Sequence, residues 1–228
     1  MNVNVFLPCR KGSQRVPKKN IRPFAGFKYG LTEIKLQQLI KSKKISKIYL
    51  STNDEEILDY AKSLKNDKII IHKRSESLSS NKTSTDELIL HVLELIKDGE
   101  ILWTHVTSPF LNALEYDMII KKYEEIKTNG YDSLMTVNLI RNFLWNKKGP
   151  INYNRKKEKW PKTQTIKPIY EINSAVFLAN ITVYKKLNDR IGQKPYFYVL
   201  DKIKGFDIDW EDDFKIAEAI VKSKIAEL

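Results

Sequence analysis

Phe6–Asn20 reads FLPCRKGSQRVPKKN, an apolar run that ends in a proline and passes into a loop carrying five cationic side chains around one Gly-Ser pair. Val3 to Pro8 is read as a buried first strand. Lys and Arg repel one another at the density that follows, so an anion is expected among them. The loop lacks G-x-x-x-x-G-K-[ST] and G-x-G-x-x-G, which excludes a P-loop and the usual dinucleotide fingerprint. Gly12-Ser13 nevertheless offers a flexible turn with free backbone N–H groups, flanked by Arg10 and Lys19. Amides and cations after a first strand suit a polyphosphate. A solvated surface loop has the same composition, and the residues alone leave both readings open.

Working outward, the chain alternates between two periods. Leu31–Lys43 has helical spacing through Leu36, Leu39 and Ile40, and Ile45–Thr52 is a second strand. Asp54 can cap a helix with an acidic first turn and the apolar face Ile57, Leu58, Ala61 and Leu64. Lys68–His72 is a third strand. Ser84 with Glu87 forms a capping box before Leu88, Ile89, Val92, Leu93 and Ile96. Ile101–Val106 is a fourth strand, Asn112–Lys127 a helix ended by Asn129-Gly130, and Ser133–Asn138 a fifth strand. Such alternation predicts an α/β fold with a mostly parallel central sheet covered on both faces. Ligands of these sheets bind beyond the carboxyl ends of the strands, so the loops after Pro8, Thr52, His72 and Val106 share one rim.

The alternation breaks near Leu139. From 139 to 168 the chain is polar, basic and aromatic without helical period, too long for a structureless loop in a compact domain. An excursion with its own hairpin is expected there, packed on a partner or over the active site. Strand pattern returns at Glu171–Ala179 and Tyr196–Leu200, and a last helix follows Trp210. A single domain, 1–228, with 139–168 inserted, accounts for the pattern.

Composition narrows the function classes. The chain has 228 residues, 42% of them hydrophobic, which is the profile of a folded protein. It has no apolar run of the ~20 residues a membrane span needs, and charge and proline come too early for a secretory signal. Cys9 is the one cysteine, so a disulfide framework is excluded and a cytoplasmic, reducing location is expected. The net charge of +12 permits nucleic-acid binding, but Lys is spread along nearly every segment instead of lying on one face among stacking aromatics. No nucleic-acid or membrane partner is expected.

A second constellation is FDIDWEDD, Phe206–Asp213. On an extended segment Asp207 and Asp209 point one way and Ile208 the other. Two oxygen ligands on one face suit Mg²⁺, which keeps most of its waters and is shared with substrate phosphates. Glu211, Asp212 and Asp213 are read as complements to a helix dipole. His91 is expected at a helix edge, and His72 and His105 at the rim without zinc-ligand spacing.

Taken in order, PCRKGSQRVPKKNI (Pro8–Ile21), LSTNDEEI from Leu50, Arg74 before a Ser-rich loop, VTSPF from Val106, YEINSAVF from Tyr170 and FDIDWEDDF from Phe206 resemble the acylneuraminate cytidylyltransferases, the CMP-sialic acid synthetases and their relatives. The matches span almost the whole chain. The resemblance implies a Rossmann-like nucleotidyltransferase fold, a homodimer, and Mg²⁺-dependent transfer of CMP from CTP to an acidic 2-keto sugar of the nonulosonate type, with release of pyrophosphate. By matching position, Arg10, Ser13 and Lys19 are expected at the nucleotide phosphates and Asn20 at the base or ribose. Arg74 and Thr85 would complete the nucleotide pocket, and Asp207 and Asp209 would hold the metal. Asn173 is expected to face the sugar or ribose, Gln164 and His105 to lie on the acceptor side, and 139–168 to be a dimerisation element reaching over the partner's site. Arg10 and Lys19 are both taken as rim side chains.

Departures from the family pattern concentrate on the acceptor side. His105 stands for a Gln, Thr163 for an Arg, Trp145 for a Lys and Ser174 for a Gly; Lys162 and Lys167 are the nearest substitute cations. An acceptor other than N-acetylneuraminate itself is therefore expected. Other readings are a cytidylyltransferase for a Kdo-type or non-sugar acid, a metal-dependent glycosyltransferase, whose Asp pair would end a middle strand, and a basic nucleic-acid-binding module.

Overall fold

The computed structural model describes residues 1–228. Strand β1 (Val3–Cys9) puts Val3, Val5, Leu7 and Cys9 into one core layer and Phe6 into the other. A strand buried on both faces belongs at the centre of a sheet. The chain continues through α1 (Gly30–Lys41), β2 (Lys47–Thr52), α2 (Glu55–Ser63), β3 (Ile69–Lys73), α3 (Thr85–Leu95), β4 (Glu100–Trp103), α4 (Ala113–Lys127) and β5 (Ser133–Ile140). After it come a small hairpin of β6 (Trp145–Asn146) and β7 (Gly149–Pro150), then β8 (Ile169–Asn180), α5 (Ile181–Leu187), β9 (Pro195–Leu200) and α6 (Glu211–Lys222).

The main sheet has the order β3-β2-β1-β4-β8-β5-β9. Helices α1, α2, α4 and α6 pack on one face and α3 and α5 on the other, so the expected two-faced α/β sheet is present. The capping box at Ser84 is formed, with Ser84 Oγ accepting from Glu87 N and Glu87 accepting from Ser84 N. No helix is long and apolar enough to cross a membrane.

Four features differ from the sequence reading. Strand β8 is antiparallel to both β4 and β5, although all other pairs in the sheet are parallel. The reason lies in 141–168: β5 ends at the carboxyl rim, the excursion stays there, and the chain re-enters with Ile169 paired to Ile140. Strand β4 stops at Trp103 and leaves 104–111 as an ordered loop under the site. Helix α5 has too few residues for its period to register in the sequence; Asn180 caps it and Asn188 ends it at φ 49°. His91 lies at 3% exposure inside the core, bonded to Ser51 Oγ at 3.0 Å and packed on Phe6 and His72, not at a helix edge.

Candidate active site

The loop after β1 is tied to itself and to its neighbours. The Asn20 side-chain amide donates to the Arg10 carbonyl at 3.0 Å, while the Asn20 carbonyl accepts from Thr32 N at 2.9 Å and Thr32 Oγ1 at 2.7 Å. Lys11 N donates to Asn53 Oδ1 at 2.8 Å. Buried Val16 and Ile21 anchor the loop in the core, and Gly12 turns it at φ 82°, where a side chain would be strained. The result is a cavity of about 410 Å³ lined by Arg10, Ser13, Lys19, Asn20, Arg74 and His105, among others. Six of the expected site residues thus meet in one place.

Three of those six differ in role from the sequence reading. Lys19 is not a rim side chain: the residue is 8% exposed, and its ammonium donates to the Ile208 carbonyl at 2.7 Å and lies 3.5 Å from Asp209 Oδ1. Burial holds it below the usual lysine value, against the pull of Asp209 and Asp207. His105 has no free nitrogen. Its Nδ1 lies 3.0 Å from the Ser174 carbonyl, to which it donates, and its Nε2 accepts from Trp103 Nε1 at 3.1 Å. Burial drives the ring down to about 4, so it stays neutral and cannot serve as a hydrogen-bonding hand for a sugar. Asn20 spends an amide proton on closing the loop and keeps only part of its capacity for a ligand.

The FDIDWEDD segment approaches this cavity from the β9–α6 connection. Ile208 is fully buried and its N–H donates to the Thr107 carbonyl at 2.9 Å, and Asp207 and Asp209 on either side of it line one cavity, as the alternation predicted. Asp213 accepts from the N–H groups of Asp209 and Trp210 at 3.0 and 2.7 Å, and Glu211 accepts both bonds of Arg22 at 2.9 Å. Two of the three acidic residues in the first turn therefore fix the segment as well as complement the dipole. Burial raises the Asp207 carboxyl to about 6, against the opposing Thr107 hydroxyl and Lys19, and its Oδ1 is buried without a hydrogen-bond partner. An orphaned carboxylate oxygen beside a second, cavity-lining carboxylate fits a divalent cation, with Asp209 as the candidate second ligand. Asp209 is otherwise held by Arg15 at 2.8 Å, a loop residue that the sequence reading passed over.

Asp207 and Asp209 line a second cavity of about 470 Å³, together with Asn138, Arg141, Glu171 and Lys202. Arg15 and Lys19 of the first cavity both reach Asp209, at 2.8 and 3.5 Å, so the carboxylate pair of the second cavity borders the first. Asn173 lines the second cavity, but its amide is largely spent: Oδ1 accepts from Thr136 Oγ1 and Ala175 N, and Nδ2 donates to Asn138 Oδ1 at 2.9 Å. Ser174, beside it, sits at φ 58°, where the family's Gly is free of strain. Gly205 closes the wall, since a Cβ there would lie 2.0 Å from Asn138 Oδ1.

Beneath the site, Lys35 is fully buried and donates to the Ser108 carbonyl and the Tyr116 hydroxyl, both at 2.7 Å. Tyr116 reaches Thr104 at 2.9 Å, and Thr104 donates to the Ala175 carbonyl at 2.7 Å. Lys35 therefore stitches the 104–109 loop to α1 and α4. Its position in the stripe Leu31, Lys35, Leu39 marked it in the sequence as a lysine on an apolar face. Burial lowers it to about 7 from 10.5, with Asp207 pulling the other way. Between those values the unfolded chain binds the proton and the folded chain does not, so stability rises with pH across the window and is lost as pH falls through about 7. Thermal melts should show this rise from pH 6 to pH 9 in the wild type, and Lys35→Met should lack it; identical pH slopes would contradict the buried-lysine account.

Two expected residues are not brought in. Thr85 opens α3 on the surface, whereas Leu88 of the same helix lines the nucleotide-sized cavity. Gln164 is exposed on the excursion, and neither cavity is lined by Trp145, Lys162, Thr163, Gln164 or Lys167. Cys9 is buried with its thiol pushed up to about 12, consistent with an inert packing residue.

The sequence matches the family model described as Cytidylyltransferase over residues 5–226. Among curated relatives, a pseudaminic acid cytidylyltransferase of Campylobacter jejuni is 25% identical over 229 residues, with 95% of each chain covered. An N-acylneuraminate cytidylyltransferase of Escherichia coli is 24% identical over 96% of this chain and 52% of its own length. Among solved structures, a CMP:2-keto-3-deoxy-manno-octonic acid synthetase complexed with CTP superposes with a TM-score of 0.67 at 12% identity, covering 98% of this chain and 100% of that one. A 4-diphosphocytidyl-2C-methyl-D-erythritol synthase from Anaerococcus prevotii superposes equally well, with a TM-score of 0.67, 14% identity and coverages of 97% and 98%. At those identities the structures speak for the fold, a Rossmann-like nucleotidyltransferase.

Proposed function

The chain belongs to the cytidylyltransferase family and is a nucleotidyltransferase, and from that premise we propose that it transfers CMP from CTP to an acidic 2-keto sugar of the nonulosonate type, releasing pyrophosphate. The observation that carries this reading is the acidic pair Asp207 and Asp209 in the lining of a polar cavity, with Asp209 in contact with Arg15 and Lys19 of the neighbouring cationic one. In a glycosyltransferase reading the acidic pair would end a middle strand; here it stands in the connection to α6.

The chemistry follows from the arrangement. The triphosphate lies among Arg10, Lys19 and Arg74, whose charges are held in place before the substrate arrives. The hydroxyl on the anomeric carbon of the acceptor attacks the α-phosphorus in line from the second cavity, and the bond to pyrophosphate breaks. Lys19, fixed by the Ile208 carbonyl, meets the charge that develops on the phosphates without reorganising. Asp207 and Asp209 would hold Mg²⁺, which when bound supplies neutralisation of the phosphate charge. No covalent intermediate with the protein is required.

The same reading includes a homodimer in the cytoplasm. Trp145 and Trp160 are 50% and 66% exposed on the excursion, and Phe143 packs edge-on against Tyr153 and Trp160. An aromatic cluster left in water on an inserted segment is a feature of association surfaces. Gln164, remote from its own site, would then serve the partner's. A monomer in sedimentation at micromolar concentration would remove this part.

The test is pyrophosphate release with each of the four nucleoside triphosphates against a panel of acidic acceptors. CTP alone should support turnover, with a nonulosonate such as pseudaminic acid, the acceptor named for a relative 25% identical over 95% of this chain, preferred over N-acetylneuraminate. A Kdo-type acid is the second reading. Turnover with UTP or ATP in place of CTP, or best turnover with a neutral acceptor, would overturn the proposal.

A further inference from the structure

We propose that Arg141 and Lys202 form the anchor for the acceptor's carboxylate, so that these two cations, and not the basic residues of 155–167, make the site select an acid. The inference rests on the cytidyl-transfer reading above and assigns its acceptor contacts.

The two side chains arrive together by topology. Arg141 directly follows the last residue of β5, and Lys202 comes two residues after the last residue of β9. These strands are parallel neighbours in the register Asn138–Leu200, so both cations leave the same rim side by side. Both line the 470 Å³ cavity, a size in the range of small-ligand sites.

Neither cation has an acidic partner. Lys204 takes the nearby carboxylates, lying 2.7 Å from Glu115 and 3.4 Å from Asp201, which leaves Lys202 alone. Glu171, on the same cavity wall, is engaged by the Asn138 amide at 3.1 Å. Two unpaired cations in the lining of one cavity favour an anion there over a neutral group. The lining of the cavity therefore holds two unpaired cations as well as Asp207 and Asp209. A 2-keto sugar acid matches this lining, because its carboxylate and its anomeric hydroxyl sit on the same carbon. With the carboxylate at Arg141 and Lys202, the hydroxyl is directed toward the junction where the nucleotide cavity begins. Arg141 offers the planar fork that a carboxylate accepts in two bonds, and Lys202 a point charge. By contrast Lys162 and Lys167 line neither cavity of their own chain.

The experiment compares wild type, Arg141→Met, Lys202→Met and Arg141→Lys. Acceptors are pseudaminic acid, N-acetylneuraminic acid and Kdo, each also as its methyl ester, and CTP affinity is measured separately by calorimetry. Wild type should prefer each acid it uses to the ester. Each Met variant should raise the acceptor KM roughly 10-fold or more and lose the preference for acid over ester, with CTP affinity within about twofold of wild type. Arg141→Lys should restore part of the loss. Unchanged acceptor KM in both Met variants would overturn the assignment. So would a fall in CTP affinity matching the loss in turnover, which would place the cations on the phosphates. A wild type that uses acid and ester alike would sink the anchor while leaving cytidyl transfer intact. Absence of CTP-dependent pyrophosphate release with every acceptor would reject the transfer reading and this one with it.

Discussion

Asp207→Asn is expected to reduce turnover at least ~10²-fold while leaving the melting temperature unchanged or higher. Burial opposes the charge on this carboxyl, which is raised to about 6, and one of its oxygens has no partner in the folded chain. An isosteric amide removes a charge that burial disfavours, which offsets the loss of its attraction to Lys19. What disappears is the ligand that would share a cation with the phosphates. Asp209→Asn should lose turnover comparably but lower stability slightly. Its carboxylate is 44% exposed and paired with Arg15 at 2.8 Å, and such partly solvated pairs contribute about 0–1 kcal/mol. Pyrophosphate release with a thermal melt on each variant checks both. Full activity in either, or wild-type activity in excess EDTA, would remove the metal assignment.

The second large effect separates two cations that looked equivalent in the sequence. Lys19→Ala should weaken CTP binding and also lower stability, because it deletes a buried donor to the Ile208 carbonyl and leaves that acceptor unsatisfied, at about 1–3 kcal/mol. Loosening Ile208 also loosens the acidic pair on either side of it, so turnover should fall further than affinity alone predicts. Arg10→Ala should weaken CTP by a comparable factor at little cost in stability, since its side chain bonds only to exposed Asn81. Calorimetry and melts on the two variants measure the contrast. Equal stability losses would contradict the buried geometry of Lys19, and unchanged CTP affinity in both would return the loop to a solvated surface role.

The candidate site was legible where a residue type and a local pattern agreed. Gly12 between cations, the Asp-x-Asp alternation around Ile208 and the capping box at Ser84 each act over a few residues, and all three are formed. Lys19 was found but misplaced. Its burial depends on Ile208, far along the chain, and no local pattern carries that information. His105 was assigned to the acceptor because it replaces a Gln, yet Trp103 and Ser174 occupy both of its nitrogens. Lys35 was missed although it interrupts an apolar stripe, because a lysine on a helix is ordinarily solvated.

By itself the sequence determined the α/β class, the buried first strand, the cationic loop that follows it and the alternation that turns Asp207 and Asp209 to one side of Ile208. These follow from short-range terms: side-chain period, capping and the repulsion of adjacent charges. Tertiary structure alone decided the reversal of β8, the contact of Asp209 in one cavity with Arg15 and Lys19 of the other, and the arrival of Arg141 and Lys202 in the lining of one cavity. Each of these depends on which strand lies beside which. Strand order is set by burial summed over the whole sheet, where a long excursion that stays on one rim reverses the strand after it.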